Sequence, residues 1–196
     1  NAKFDYLKTE KKKNIFSINK KNKNNYIIDG LIFNANSLIT NLLIEKDEKE
    51  KKLFKHDVNL KLNIDKVYID EIHEVKNLDG KIFLENNKVD NANIKAKFKD
   101  NENLSFTIYT DKEENVITTL TTSWAKPFVN RYKFIKGFEE GFLDFRSSKK
   151  NGKSNSLLII DNFKVKEIPA LAKLLALASL QGIADLLTGE GIRFTD

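Results

Sequence analysis

The sequence lacks cysteine and methionine altogether, and it has only two prolines and three arginines among its 196 residues. Without cysteine, the chain has no disulfide, no thiolate ligand for a metal and no thiol nucleophile. Because methionine is missing even at position 1, we expect a processed chain or a piece of a longer protein. No signal peptide or transmembrane anchor is recognisable at the Asn1 end, so we expect any targeting signal to lie outside this sequence.

Arginine is so scarce that the net charge of +6 comes almost entirely from lysine. A basic chain usually suggests binding to nucleic acid or to an anionic membrane. Lysine, however, lacks the planar guanidinium fork that makes bidentate contacts with guanine or phosphate, so the composition predicts no nucleic-acid partner. The lysine runs at 11–13 and 20–23 would attract anionic headgroups, but we interpret them as solvated turns because nearby acidic residues dilute their field.

Residues that usually carry catalysis form no recognisable motif. The two histidines, His56 and His73, have neither HExxH nor triad spacing, and we interpret both as surface or sheet-edge residues. A glycosidase needs two carboxyl groups facing each other across a cleft, whereas the clustered acids of this chain fit solvated turns and polar strand faces. These acids are Glu71 and Glu74, Asp111 with Glu113 and Glu114, and Glu139 with Glu140. We interpret Trp124 as a core or rim aromatic. The sequence therefore predicts no catalytic residue, no metal site and no cofactor.

Apolar and polar residues alternate with period two over most of the chain, which is typical of strands with one apolar face. The clearest apolar sets are Val58, Leu60, Leu62 and Ile64 in one strand and Leu104, Phe106 and Ile108 in another. Weaker alternation predicts strands at 14–20, 26–33, 67–75, 81–85, 89–98, 115–122, 141–147 and 157–166. Polar segments at 77–80, 85–88, 99–103, 111–114 and 149–153 are predicted turns. About nine or ten strands predict a mainly β fold, either a long curved antiparallel meander or an open half-barrel.

Short helices are predicted where the spacing of apolar residues changes from two to three or four. Leu38, Ile39, Leu42 and Leu43 follow the segment 34–36, whose asparagines can cap a helix start. A second helix is predicted at 127–135, where Pro127 suits the first turn. Because no linker rich in Pro, Gly or Ser divides the chain, we expect a single domain over residues 1–196, as a fragment of a larger protein.

The longest predicted helix lies near the C-terminus, at about 169–187, and is rich in alanine and leucine. Pro169 suits its first position, and Gly189 and Gly191 suit its end. The apolar stretch approaches the length of a membrane span, but the charges of Lys173 and Asp185 within it argue against crossing a bilayer. We therefore expect a helical cap that packs on the sheet.

This C-terminal segment resembles the AsmA-like C-terminal region of large proteobacterial envelope proteins, in which a strand leads into PxLAxLL, then ASLxG, then LLxGEGIxF. The matching segments are 163–167, 168–175, 178–180, 182–183, 185–187 and 189–192, followed by Phe194. Within them, the residues that carry the motif are Pro169, Leu171, Leu174, Leu175, Gly182, Gly189, Gly191 and Phe194. Upstream, the helix predicted at 127–135 with the glycine-led strand after it, and the segment 29–35, resemble earlier elements of the same region.

The resemblance implies a periplasmic segment of a protein anchored in the inner membrane. Such proteins resemble bridge-like lipid transfer proteins, whose β-sheet grooves carry phospholipid between the inner and outer membranes and support outer-membrane integrity. The expected partners are then phospholipid acyl chains and the rest of the same polypeptide, with membrane contact only through parts outside this sequence. The candidate groove residues are Val58, Leu60, Leu62, Ile64, Leu104, Phe106 and Ile108. The alternative is a structural or interaction domain of the envelope whose apolar face is covered by neighbouring protein and binds no lipid.

Overall fold

The computed structural model describes residues 2–7, 13–43, 56–86, 88–99, 102–132, 135–166 and 192–194. Within these ranges the chain is mainly β, with eleven strands and two short helices. The strands are β1 (Ala2–Leu7), β2 (Lys13–Lys20), β3 (Asn25–Asn34), β4 (Val58–Tyr68), β5 (Glu74–Glu85), β6 (Lys88–Lys97), β7 (Asn103–Thr110), β8 (Val116–Thr122), β9 (Phe138–Lys150), β10 (Lys153–Val165) and β11 (Ile192–Phe194). The helices are α1 (Asn36–Leu43), after β3, and α2 (Lys126–Tyr132), after β8.

The strands follow one another in the sheet in chain order, from β1 at one end to β11 at the other, so the sheet is not closed into a barrel. Neighbours from β1 to β7 pair antiparallel, except that β3 and β4 run parallel. A parallel pair needs a crossover connection instead of a tight turn, and the connection from β3 to β4 contains α1. The predicted mainly β meander is confirmed, but a wholly antiparallel sheet is wrong, because this one pair makes the sheet mixed.

Both helices predicted ahead of the C-terminal segment are present. The Oδ1 atom of Asn34 accepts a hydrogen bond from the Asn36 N–H at 3.1 Å, which is the capping predicted for the start of α1. Helix α2 begins at Lys126, one residue before Pro127, and ends at Tyr132 instead of residue 135. The helix predicted at about 169–187 lies outside the described residues.

Two local predictions around β4 and β5 are wrong. The strand predicted at 67–75 is interrupted, because residues 69–73 form a turn closed by a hydrogen bond from the Ile69 N–H to the His73 carbonyl at 3.1 Å. The turn predicted at 77–80 is instead part of β5, where Asn77 has a φ of 51° and the pairing with β6 shifts register between Lys76 and Asp79. Asparagine and glycine thus mark a bulge here, not a chain reversal.

The turn predicted at 149–153 is confirmed between β9 and β10. Asn151 and Gly152 have φ values of 51° and 76°, and positive φ at both central positions is typical of a type I′ hairpin. The order Asn-Gly is the preferred sequence for that turn. This hairpin is therefore specified by the local sequence.

The chain divides into two compact units. Unit 1 comprises Asn1–Leu120 and Phe145–Leu157, and unit 2 comprises Thr121–Asp144 and Leu158–Asp196. In unit 1 the buried core residues include Val58, Ile64, Val67, Val75 and Phe98. In unit 2 the rings of Phe138 and Phe163 stack with centroids 5.1 Å apart, beside the buried residues Ala125, Val129 and Leu143. The single domain expected over residues 1–196 stays a prediction.

Candidate functional site

The strand register brings all seven candidate groove residues to one face of unit 1. Strands β5 and β6 lie between β4 and β7 and complete two continuous rows of Cα partners across the sheet. One row is Ile18, Ile28, Leu62, Gly80, Ile94 and Phe106, and the next is Tyr26, Leu60, Ile82, Ala92 and Ile108. Val58 pairs with Leu84, Ile64 with Leu78, and Leu104 with Ala96 on the same side. We call the two rows, with these flanking pairs, the apolar face.

The residues that complete the apolar face between β4 and β7 were not singled out from the sequence. Ile82 and Ile94 lie on the strands predicted at 81–85 and 89–98. The alternation of apolar and polar residues in these two strands predicts that each strand has an apolar side. What the sequence does not show is which strands are neighbours, because pairing joins residues distant in sequence. The two candidate sets in β4 and β7 therefore belong to one surface that a local pattern cannot reveal.

The seven candidates differ in how much of each side chain solvent reaches. Val58 and Ile64 are fully packed, with 0% and 4% of their surface exposed, so they belong to the core of unit 1. The other five, Leu60, Leu62, Leu104, Phe106 and Ile108, are only half-buried. These five side chains therefore keep accessible apolar surface that a ligand or a protein neighbour can cover.

Small residues sit at the middle of the apolar face. A Cβ atom built on Gly80 would lie 3.0 Å from Cγ1 of Ile94, so Ile94 occupies the space that a larger residue would need. Ala92, in the neighbouring row, is 3% exposed. Glycine and alanine at these positions let the large side chains of adjacent strands approach each other closely.

One irregularity runs across three neighbouring strands and extends the apolar face. The Cα pairing omits Leu31 of β3, Asp65 of β4 and Asn77 of β5, and all three residues are exposed. Beyond it, the apolar positions follow at a spacing of three, and Val67 and Val75 pair with each other and are buried. A spacing of three at a bulge returns side chains to the same side of a sheet. The sequence carries this signal in the step from Ile64 to Val67.

A lysine stands at one end of the apolar face. Lys20, the Cα partner of Tyr26, holds its Nζ atom 5.8 Å from the centroid of that ring. Lys66 directly precedes the buried Val67 and is therefore on the opposite face, where its Nζ atom lies 3.3 Å from Glu74 Oε2. The two apolar rows contain no charged residue after Lys20. This pattern suits a ligand with an apolar body and an anionic or polar end.

The opposite face of the same strands is polar. Asn59, Lys61 and Asn63 of β4 are exposed, and Asn63 Nδ2 donates to Asp29 Oδ1 at 3.4 Å. Further along, the hydroxyl oxygens of Thr107 and Thr119 are 2.7 Å apart and hydrogen-bonded. The sheet of unit 1 is therefore amphipathic, as the alternation in the sequence predicts.

His73 is not the surface residue that the sequence suggested. It is 8% exposed, and its Nδ1 atom lies 2.6 Å from Asp70 Oδ2. Asp70 Oδ1 also accepts hydrogen bonds from the backbone N–H groups of Ile72 and His73, at 2.8 and 2.6 Å. Burial raises the pKa of Asp70, but these hydrogen bonds outweigh it and hold the pKa below its ordinary value. The pair thus stabilises the turn between β4 and β5.

The clustered acids also make structural contacts. Asp111 accepts hydrogen bonds from the N–H groups of Glu113 and Asn115 and from the Asn115 side chain, and these bonds lower its pKa. Glu139 lies 3.0 Å from Lys166 and 3.4 Å from Lys126, and the hydrogen bond from Lys166 is the main cause of its lowered pKa. Among the described residues, no group of three His, Asp or Glu side chains is placed to hold a metal ion.

Trp124 is half-buried, which fits the predicted rim aromatic, and its backbone N–H donates to Thr122 Oγ1 at 3.1 Å.

None of the helices in the described ranges is long and apolar enough to span a membrane.

Most of the motif that carries the family resemblance falls outside the part of the chain that the structure describes. This applies to Pro169, Leu171, Leu174, Leu175, Gly182, Gly189 and Gly191. Phe194 lies in β11, where it is the Cα partner of Phe163. Comparisons of the chain with protein-family models, with curated proteins and with solved structures found no match. The resemblance to the AsmA-like region therefore stays a prediction.

Proposed function

We propose that this chain is a non-enzymatic segment of an AsmA-like envelope protein and that its apolar face binds the acyl chains of phospholipid. The observation that carries the proposal is the pair of apolar rows across unit 1, whose large side chains remain half-buried. Apolar surface left accessible to water is unfavourable by about 25 cal/mol per Å² relative to burial, so a continuous apolar area of this kind favours a covering partner.

Acyl chains suit this surface because their binding needs apolar area and not directional hydrogen bonds. Leu62, Ile94 and Phe106 offer aliphatic and aromatic side chains in one row, with no buried polar atom that a ligand must satisfy. Lys20 at one end of the apolar face would attract the phosphate of a headgroup to that end.

The location proposed for the protein rests on the resemblance alone. We place the segment in the periplasm, attached to the inner membrane through the full-length protein, where it would contribute to phospholipid transport between the membranes and to outer-membrane integrity. Its partners would be phospholipid acyl chains and the rest of the same polypeptide. Membrane contact through other parts of that protein, and the absence of a nucleic-acid partner, belong to the same proposal.

The test is to locate lipid on the protein. A photoreactive amino acid replaces Leu62 on the apolar face or, as the matched control, Asn63 on the polar face of the same strand. After illumination in cells, mass spectrometry of the purified protein should find phospholipid attached at position 62 and not at position 63. Lipid at neither position, or equally at both, would contradict the proposal. Organic-solvent extraction of the unlabelled protein checks independently for co-purified phospholipid.

A structural or interaction domain is the second candidate function, and one observation favours it. In β10, Leu157, Leu158 and Ile159 are 57%, 45% and 42% exposed, so apolar side chains in succession on one strand contact solvent. Protein would cover both sides of a strand more readily than acyl chains would. Cross-links from position 62 to protein and not to lipid would support this alternative.

A further inference from the structure

Unit 1 carries an open concavity of about 510 Å³ that is lined by Lys21, after β2, and by residues of β3, β4, β5 and β6, most of them on the polar face. Its lining includes three lysines and three asparagines, namely Lys21, Lys61, Lys81, Asn25, Asn59 and Asn91. All six residues are exposed, and none of the described residues that line the concavity is an aspartate or glutamate. Its size lies within the range of small-molecule sites. The remaining lining residues are Tyr26, Ile27, Leu60, Ile82 and Phe83, so the cationic and amide groups lie beside apolar surface.

The lysines at the centre of this concavity face each other across two strands. Lys61 of β4 and Lys81 of β5 are direct Cα partners in the antiparallel pair. Like charges directly opposite each other destabilise a sheet, so this arrangement favours an anion between them. Within the part of the chain that the structure describes, neither lysine forms an ion pair.

The nearest acidic side chains along the ladder, Asp29 and Asp79, are in the adjacent row of the same face. Asn63 is the Cα partner of both, and Asp79 also pairs with Lys95. The adjacent row on the other side of Lys61 and Lys81 contains no charged residue. It consists of Asn25, Asn59, Phe83 and Asn91. The positive potential of Lys61 and Lys81 is therefore compensated on one side only. Phe83, which is half-buried, adds an apolar surface beside the lysines.

We propose that this concavity binds a phosphate group, with Lys61 and Lys81 contacting its oxygens and Lys21 and the asparagine amides completing the site. Lysine ammonium groups bind phosphate as point charges with charge-assisted hydrogen bonds. The phosphate belongs either to a lipid headgroup or to a soluble phosphate ester. Because Lys61 and Lys81 are on the polar face, their contacts with phosphate do not require acyl chains on the apolar face.

The test compares two double variants that remove the same charge from cross-strand lysine pairs. K61Q/K81Q alters the concavity, whereas K76Q/K97Q alters a second pair of Cα partners, Lys76 and Lys97, that does not line it. Binding of glycerol 3-phosphate is measured by calorimetry, and binding to phosphatidylglycerol vesicles by co-sedimentation at physiological salt. Thermal unfolding of each variant shows that both remain folded.

We expect K61Q/K81Q to weaken binding at least about tenfold, because two charge-assisted contacts are lost, and K76Q/K97Q to change it less than about twofold. Binding of glycerol 3-phosphate would identify the phosphate ester itself as sufficient, whereas binding to vesicles alone would identify the lipid headgroup as the source. The charge-conserving K61R/K81R variant should retain binding. Equal weakening by the two lysine-to-glutamine variants, or no binding to either probe, would overturn the proposal.

Discussion

Single glycines control how closely the strands of unit 1 pack. A Cβ atom on Gly30 would lie 2.7 Å from Cβ of Phe16 and 3.0 Å from the backbone oxygen of Ile15. A Cβ atom on Gly80 would meet Cγ1 of Ile94 at 3.0 Å and the Asn93 oxygen at 3.2 Å. The nearest contact at Gly30 is the base of a side chain, which moves with difficulty. At Gly80 the nearest atom is Cγ1 of Ile94, which can move by a change of rotamer, and the backbone contact is longer than at Gly30.

The two glycines should therefore tolerate alanine differently. Gly30→Ala is expected to lower the free energy of unfolding by about 2 kcal/mol, because the added methyl overpacks Phe16. Gly80→Ala should change the free energy of unfolding by less than about 1 kcal/mol. Alanine lowers the conformational entropy of the unfolded chain relative to glycine, and this offsets part of the strain in the folded protein. Urea denaturation of both variants measures the difference. Equal losses at the two positions would show that the close approach of Phe16 has no energetic effect.

Asp70 links the stability of the β4–β5 turn to pH. Its carboxylate accepts hydrogen bonds from Ile72 and His73, and its pKa lies below the ordinary 3.8. A group with a depressed pKa in the folded protein stabilises it above the unfolded value. That contribution is lost as the pH falls through the folded value.

Asp70→Asn should therefore destabilise the protein by roughly 1 to 2 kcal/mol at neutral pH, because a buried charge-assisted pair is lost. The difference between wild type and variant should shrink below about pH 4, where the unfolded carboxylate takes up its proton. Thermal unfolding between about pH 2.5 and 7, which spans the ordinary pKa of aspartate, tests this. The exposed variant Asp65→Asn corrects for the loss of one negative charge. A difference that does not shrink in acid would contradict the role given to Asp70.

At the scale of elements, the irregularity at Leu31, Asp65 and Asn77 keeps the apolar side chains of three strands on one face. Asn77 has a φ of 51°, a left-handed conformation that asparagine tolerates better than most residues. The cost of this conformation rises for β-branched side chains. The sequence of the bulge is thus matched to its backbone.

Substitutions at Asn77 should follow backbone preference and not strand propensity. Asn77→Val is expected to destabilise the protein by about 1 to 2 kcal/mol, whereas Asn77→Gly should be neutral or slightly stabilising. Asn93→Val is the matched control, because Asn93 is exposed on β6 and is not among the residues with positive φ. Denaturant unfolding of the three variants gives the comparison. A stabilising Asn77→Val would mean that the strand relaxes to a regular ladder.

Elements that depend on near neighbours in sequence were predictable, and elements that depend on distant pairing were not. The alternation of Val58 to Ile64, the asparagine cap of α1 and the Asn151–Gly152 turn are all local patterns. The parallel pair β3–β4 joins Ile28 to Leu62, and nothing near either residue specifies that partner. The same holds for the candidate site: alternation identified apolar sides in β4 and β7, but only the register joins them through Ile82 and Ile94. His73 was misread because its burial depends on the hydrogen bonds that Asp70 makes in the folded turn.

At the scale of the whole molecule, the chain carries a net charge of +6, and in the described strands of unit 1 the pleat separates charged from apolar side chains. In unit 1, lysines such as Lys61 and Lys81 point to the polar side, while the two apolar rows remain free of charge apart from Lys20 at one end. Polar residues at the half-buried positions of the apolar face would make the sheet more soluble and less prone to aggregate, if solubility were the only requirement. The retained apolar character fits a surface that is covered when the protein functions.

Charges introduced on the two faces should separate lipid binding from general electrostatics. Leu62 and Phe106 are members of one apolar row, so L62E/F106E places two carboxylates where acyl chains would lie. N63E/N93E adds the same charge at exposed positions of the polar face. Covering a carboxylate with hydrocarbon costs several kcal/mol, so L62E/F106E should lower the phospholipid per protein at least about tenfold.

N63E/N93E should retain the phospholipid content of the wild type, as measured by phosphorus assay after solvent extraction. L62A/F106A distinguishes loss of lipid from loss of fold, because it keeps the face apolar while removing side-chain volume. If acyl chains occupy the face, L62A/F106A should bind more lipid than L62E/F106E at comparable unfolding midpoints. Equal lipid content in the two glutamate variants would place the lipid elsewhere, because only the face that carries the charge differs between them.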